Sequence, residues 1–592
     1  MEQLGREDQS GTQRLIWAML IFGGILVAWS MFMGPKKSPP PPPHKAGSTV
    51  AAQKPAELTA VAATKANVAP VAGVAAPVLP GAVAGSAVES VKLENDVLKM
   101  EISNRGAVLL HVRLKKYSNE GVVDDLVSPL SRDGGRYPLA VKTGDDVYDS
   151  MVSAAMFHVE QSADSEGNRT VKLTWSDGKG DAVTKVLTLP AKGYLLNMEA
   201  SAYKGGKRLD AVPLEWGPGF AKLLPSEAKN RYYQKGYVGL VEGDSFHKVK
   251  RSKVKTDNPR VVDTYAEKGP IKWAAITDNY FAAIFIPDGT IKRVQVVTEL
   301  LSEKQQKLLP FKSTVTLITA FPGKGKLYLG PKEYGQLAPL GPKMKKLTDW
   351  GILGPLCAIL LWGMKKLYLF TGNYGVAILL LTLIIKLAFY PLTQSSMVKM
   401  KEMGEGMKKL KPQIDRIKAK YKKAGKGMEA RNKMNEEMMA LYKREGVNPL
   451  GSLGGCLPML IQMPIFFALF ELLPRAIELR GAEFFGWIHD LSIPDPYYIT
   501  PIAMGLSMVL STKMTATQSM EGAQKMMTWF MPIFFTWICL WAPAGLNVYW
   551  LTNNVLTIGQ QALINKKTAK LNAAAAKAKK STPKRPSRPS HG

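Results

Sequence analysis

The chain has 592 residues, with 78 Lys and Arg against 48 Asp and Glu for a formal net charge of +30. Its mean hydropathy of -0.06 matches an ordinary soluble protein only because long apolar runs are averaged with a basic remainder. The cysteines Cys357, Cys456 and Cys539 all lie in apolar runs, which excludes a disulfide framework; His44, His111, His158, His247, His489 and His591 are scattered without Cys partners, which argues against a metal site.

Residues 1–14 are polar, and 15–33 form a nearly uninterrupted apolar run long enough to cross a bilayer, which takes about 20 residues. A signal peptide would have a shorter apolar region ending at a small-residue cleavage site. This run ends in Met31-Phe32-Met33-Gly34-Pro35, so an uncleaved anchor is expected. The Pro/Ala-rich stretch 34–90 cannot build a core and reads as an extended linker. Over 91–345 the texture becomes short alternating segments such as Val97–Ile102, Thr170–Trp175 and Ser313–Ile318, separated by Gly, Asp and Asn. Period-two alternation marks half-buried strands, and one large β-sandwich-like domain is expected.

Residues 346–370 include the apolar run Trp350–Trp362, followed by Lys365-Lys366; a run this short reads as an amphipathic helix lying in the membrane interface. Five spans are then expected at 371–392, 449–473, 497–513, 526–542 and 545–564, the last two joined by a tight turn. With the anchor they make six. Fifteen Lys and Arg lie between Met397 and Gly446, and nine, with no acid, follow Ile564. The positive-inside rule therefore places the segment 393–448, the short loop 514–525 and the tail 565–592 in the cytoplasm. It places 91–345 and the loop 474–496 outside, with both termini inside. The tail, Ala/Pro-rich and basic, reads as disordered.

Lys386 stands within the span 371–392, five residues before Pro391. It is either a lysine whose ammonium snorkels to the headgroups or a cation facing a wet cavity between helices, and spacing alone does not choose. Thr382 lies one turn earlier on the same face. Gln462 is mid-span, and Asn547, Asn553 and Asn554 mark the last span. Each could be interhelical glue, but beside a lone lysine they suggest a polar groove. In 393–448, Met400, Met403, Met407, Met438 and Met439 belong to apolar stripes on what reads as a basic helical hairpin. Packing of its two helices together explains the stripes, and methionine's adaptable thioether also suits contact with varied apolar clients. The nucleotide, zinc-protease and serine-hydrolase motifs are missing, so neither an enzyme nor a cofactor is expected.

Glu437–Lys443, Val447–Gly451, Gly455–Phe466, Trp487–Leu491, Asp495–Tyr498 and Tyr390–Thr393 closely resemble the YidC membrane-protein insertases. Gly106-Ala107, Trp273–Pro287 and Gly330–Glu333 resemble the large periplasmic domain of that family's Gram-negative members. The resemblance implies a multi-pass inner-membrane protein of six spans: an anchor and a five-helix core around a hydrophilic groove open to lipid and cytoplasm, with a periplasmic all-β supersandwich. It implies that Lys386, Thr382 and Gln462 line the groove together with Trp550 and its neighbour Tyr549. Lysine stands where Gram-negative relatives usually carry arginine, which keeps charge attraction but loses the planar fork. The implied activity is insertion and folding of nascent membrane proteins, alone or beside the Sec translocon. Membrane lipids and, through the basic tail, ribosomes are further candidate partners; DNA is not. The competing reading is a secondary transporter using the groove for a small solute, against which stands the scarcity of acids: Glu471 alone lies in the last five expected spans.

Overall fold

A computed structural model describes residues 81–581 apart from 120–121, 225–226, 229, 231–232, 234–235, 253, 267–268, 424–427, 447–456 and 516–522. The expected anchor at 15–33 lies outside the described residues.

The alternating segments form strands, among them Leu98–Ser103, Arg169–Ser176 and Ser313–Phe321. They build three antiparallel sheets. One runs Ser90–Glu94, Leu98–Ser103, Val108–Asn119, Val122–Asp125; the second runs Val212–Trp216, Ser313–Phe321, Val294–Leu300, Arg260–Tyr265. The largest has ten strands, with Ile271–Thr277, Phe281–Pro287 and Lys324–Pro331 at its middle. Those three are buried almost throughout, as strands covered on both faces are. All three sheets feed one hydrophobic core, from Leu98 and Met100 through Leu214 and Leu317 to Phe285 and Leu329.

The expected supersandwich is not what forms: the sheets stay open and do not close into a sandwich or barrel. Alternation reports that a strand has one buried face. It does not report how the edges of a sheet end.

The chain then turns helical. Helix α1 spans Gly354–Thr371, α2 Tyr374–Ala388, α3 Tyr390–Lys423, α4 Met428–Arg444, α5 Leu457–Leu472, α6 Ile499–Thr515, α7 Ala523–Cys539 and α8 Ala544–Ser581. The count of six spans is corrected here. Among the described residues a single helical stretch, Gly351–Thr371, is long and apolar enough to cross a membrane, or two if α2 and α3, bent by 64°, are taken as one. The apolar run at 371–392 is longer than the helix it produces: at about 1.5 Å per residue the 15 residues of α2 reach roughly 22 Å, short of the ~30 Å hydrocarbon thickness, before the chain bends into α3.

Gly351–Thr371 is also the stretch expected to lie flat in the interface. Lys365 does not end it, because its ammonium is bonded to Glu333 (2.5 Å) and Glu478 (3.2 Å), and the helix continues to Phe370 with Ile352, Ile359, Trp362 and Leu369 exposed. The tail differs as well: α8 runs on to Ser581, as the alanine run Ala573–Ala576 favours.

Candidate functional site

Helix α2 starts on Asn373, whose side chain accepts from the Val376 N–H at 3.0 Å, and carries an apolar run interrupted by Thr382 and Lys386. Thr382 is buried, its hydroxyl donating to the Ile378 carbonyl at 2.7 Å. One turn on, the half-buried Lys386 ammonium donates to Asn553 Oδ1 at 3.1 Å and Thr557 Oγ1 at 2.8 Å, both on α8. Among the described residues no carboxylate lies within ion-pairing distance of it. Two of the three ammonium donors are thus occupied by neutral oxygens that leave the charge in place.

Tyr549, Asn553 and Thr557 recur every four residues, so they form one stripe along α8. At its start Gln462 on α5 donates to the buried Tyr549 hydroxyl. Further along, Gln560 donates to Thr393 (3.4 Å) and Gln394 (3.2 Å) on α3. The result is a polar ladder on α8 with rungs from α5, α2 and α3 in turn. Trp550 turns from the stripe to pack edge-to-face on Phe466, ring centroids 4.5 Å apart, and against Phe535 at 5.0 Å.

The polar residues noted in the sequence therefore divide. Asn553 joins Lys386, whereas Asn554 donates to Ser507 (3.0 Å) on α6 and Asn547 to the Cys539 carbonyl (3.2 Å), which makes both of them glue between helices. Thr557, Gln560 and Gln394 were missed. The four-residue spacing from Tyr549 through Thr557 was the signal that would have found the first.

The methionines divide too. Met407 and Met438 pack against Leu410, Ile414, Leu441 and Tyr442 inside the hairpin of α3 and α4. Met403 is half-buried, Met439 is exposed, and the Met400 side chain lies outside the described residues. Among the described residues no group of three or more His, Cys, Asp or Glu is placed to hold a metal ion.

Comparison with known proteins assigns this architecture. The family model for the 60Kd inner membrane protein matches residues 366–571, and that for the YidC periplasmic domain matches 90–363. The membrane protein insertase YidC of Citrifermentans bemidjiense is 34% identical over 576 residues, covering 94% of this chain and 99% of the relative. The chain belongs to the YidC family of membrane protein insertases. The YidC insertase of Cupriavidus necator is likewise 34% identical, over 86% of this chain and 89% of its own length. A crystal structure of an active YidC insertase with its first transmembrane domain resolved matches 81% of this chain and 94% of that one, at 18% identity and a TM-score of 0.32. As a YidC protein the chain resides in the inner membrane with its β-domain in the periplasm.

Proposed function

We infer that this insertase and chaperone of membrane-protein biogenesis works by charge along the α8 ladder, with Lys386 as the fixed cation that receives acidic groups of a client. The carrying observation is an ammonium on an apolar helix held by Asn553 and Thr557, with no acid beside it among the described residues. A client's polar end must leave water to cross the bilayer, and its carboxylates make that costly. An opposite charge where the effective dielectric is below that of bulk lowers the cost, while the client's apolar segment moves sideways into lipid. No covalent step is required. Gln462 and Tyr549 wet the groove, Thr382 and Trp550 shape its wall, and the hairpin's methionines, Met439 foremost, meet the client first.

The hairpin 393–448 and both termini are assigned to the cytoplasm, because that is where the positive-inside rule puts the basic segments. Contact between the β-domain and the loop 474–496, described below, supports putting that pair on the opposite side. The protein acts alone or beside the Sec translocon, and the basic end of α8 is the ribosome contact.

Insertion assays on Lys386 variants test the charge model. Lys386→Arg retains function, Lys386→Ala impairs clients with acidic translocated ends, and Lys386→Glu does worse; full activity of Lys386→Glu on an acidic client overturns it. A merely snorkelling lysine predicts instead that Ala is tolerated.

A further inference from the structure

The segment between α5 and α6 belongs to two cores at once. Ile477 packs into the β-domain core, and Leu479, Ile488 and Leu491 pack into the core of the helices. On the β-domain side the Asn279 side chain donates to the Pro474 carbonyl (2.7 Å), and the Tyr280 hydroxyl meets Ser492 at 3.1 Å. The principal contact is Arg480. Its guanidinium donates to both carboxylate oxygens of Asp124 (2.5 and 2.9 Å) and through Nε to Glu227 (2.7 Å), and it lies over the rings of Tyr280 and Phe281. All three charged side chains are buried, at 4%, 7% and 3% exposure. Two-oxygen recognition in a fixed plane is what arginine supplies and lysine does not.

On the helix side the same segment lies across the ends of α2 and α8. The Gly545 N–H donates to the Leu491 carbonyl (3.0 Å), and the Ala544 N–H to that of Ile493 (2.7 Å). The Phe484 ring lies so close on Gly375, in the first turn of α2, that a Cβ there would clash with it. The segment is therefore a cover over the end of the α8 ladder opposite the hairpin, bonded to helix backbone beneath and to buried acids of the β-domain above.

We propose that Arg480 is a positioning residue: by fastening this cover to Asp124 and Glu227 it makes the β-domain hold the outer end of the groove shut. The proposal rests on reading the α8 ladder as a groove open to the cytoplasm, and the two fail separately in one experiment. In the full chain, with Cys357, Cys456 and Cys539 replaced by alanine and Gln462→Cys as the only thiol, an impermeant maleimide is added to one membrane face at a time. The parent reacts from the cytoplasmic face only.

Arg480→Gln raises labelling from the periplasmic face by about tenfold or more, because the cover now opens locally, and Asp124→Asn, which keeps the shape and removes one charge, raises it less. Cytoplasmic labelling stays unchanged in both, and restoring arginine at 480 restores the parent rate. Periplasmic labelling within about twofold of the parent in both variants, with the β-domain still protease-resistant, overturns the proposal; so does failure of both variants to accumulate, since Arg480 would then serve folding rather than closure. Absence of labelling from the cytoplasmic face in the parent overturns the groove instead.

Discussion

Lys185 occupies an inward position of the strand Ala182–Leu189, in register with Val183, Leu187 and Leu189, and is fully buried. Its ammonium donates to the carbonyls of Gly106 (3.2 Å), Ala107 (2.9 Å) and Leu139 (2.7 Å), and two of these, Ala107 at φ 50 and Leu139 at φ 70, are non-glycine residues in left-handed backbone. The lysine ties down two turns that the backbone alone disfavours. Burial pushes it down to about 7. The unfolded chain therefore binds more protons than the folded one between about pH 7 and the ordinary lysine range. Stability gained from this group rises with pH through that window, by up to about 1.4 kcal/mol per unit, and is lost as pH falls through 7. Thermal melts of the parent and of Lys185→Met should diverge in that sense between pH 7 and 10; a pH-independent difference would count against it. An inward lysine was legible in the alternation of its strand, but its partners lie 46 to 79 residues away. Lys386 presents the same limit, since Asn553 and Thr557 are 167 and 171 residues distant and no local pattern joins them to α2.

At the scale of elements, the hairpin of α3 and α4 shows what periodicity reads well. The apolar stripes that hold Met407 and Met438 meet where the two helices pack, and the structure buries Leu410, Ile414 and Leu441 beside them. Periodicity could not separate Met438 from Met439, neighbours on adjoining faces of α4, because that depends on where α3 lies. The consequence is measurable. Met438→Ala should loosen the hairpin by about 1–2 kcal/mol, seen as roughly ten-fold faster amide exchange in α4, while Met439→Ala should leave exchange within about twofold and weaken crosslinking to client chains instead. Equal exchange in the two variants would mean that the hairpin does not hold together through this face. Span lengths were read less well, since an apolar run does not say where its helix stops: the run at 526–542 gives a helix ending at Cys539, and the Lys365-Lys366 pair taken as an end is passed through on the strength of Glu333 and Glu478.

For the whole molecule, the division into a β-rich part and a helical part was legible from the change of texture near residue 345, whereas the openness of the sheets and the joint between the two parts were not. Reporter fusions after Gly446 and after Lys570 should be active on the cytoplasmic side, and fusions within 91–340 on the periplasmic side; a periplasmic signal from the hairpin would reverse the assigned orientation. The joint also sets an order of events during synthesis. The last strand of the β-domain ends at Pro331, but Ile477 and Arg480, which complete its core and neutralise Asp124 and Glu227, come some 146 residues later. At ~5–20 residues per second that is a delay of roughly 7–30 s. Throughout it the exported domain stands with an unfilled apolar niche and two acids still exposed to water, until the segment between α5 and α6, which carries the missing residues, has been delivered to the same side. The newborn insertase is thus itself a membrane protein whose outer half cannot finish folding before its inner half is inserted.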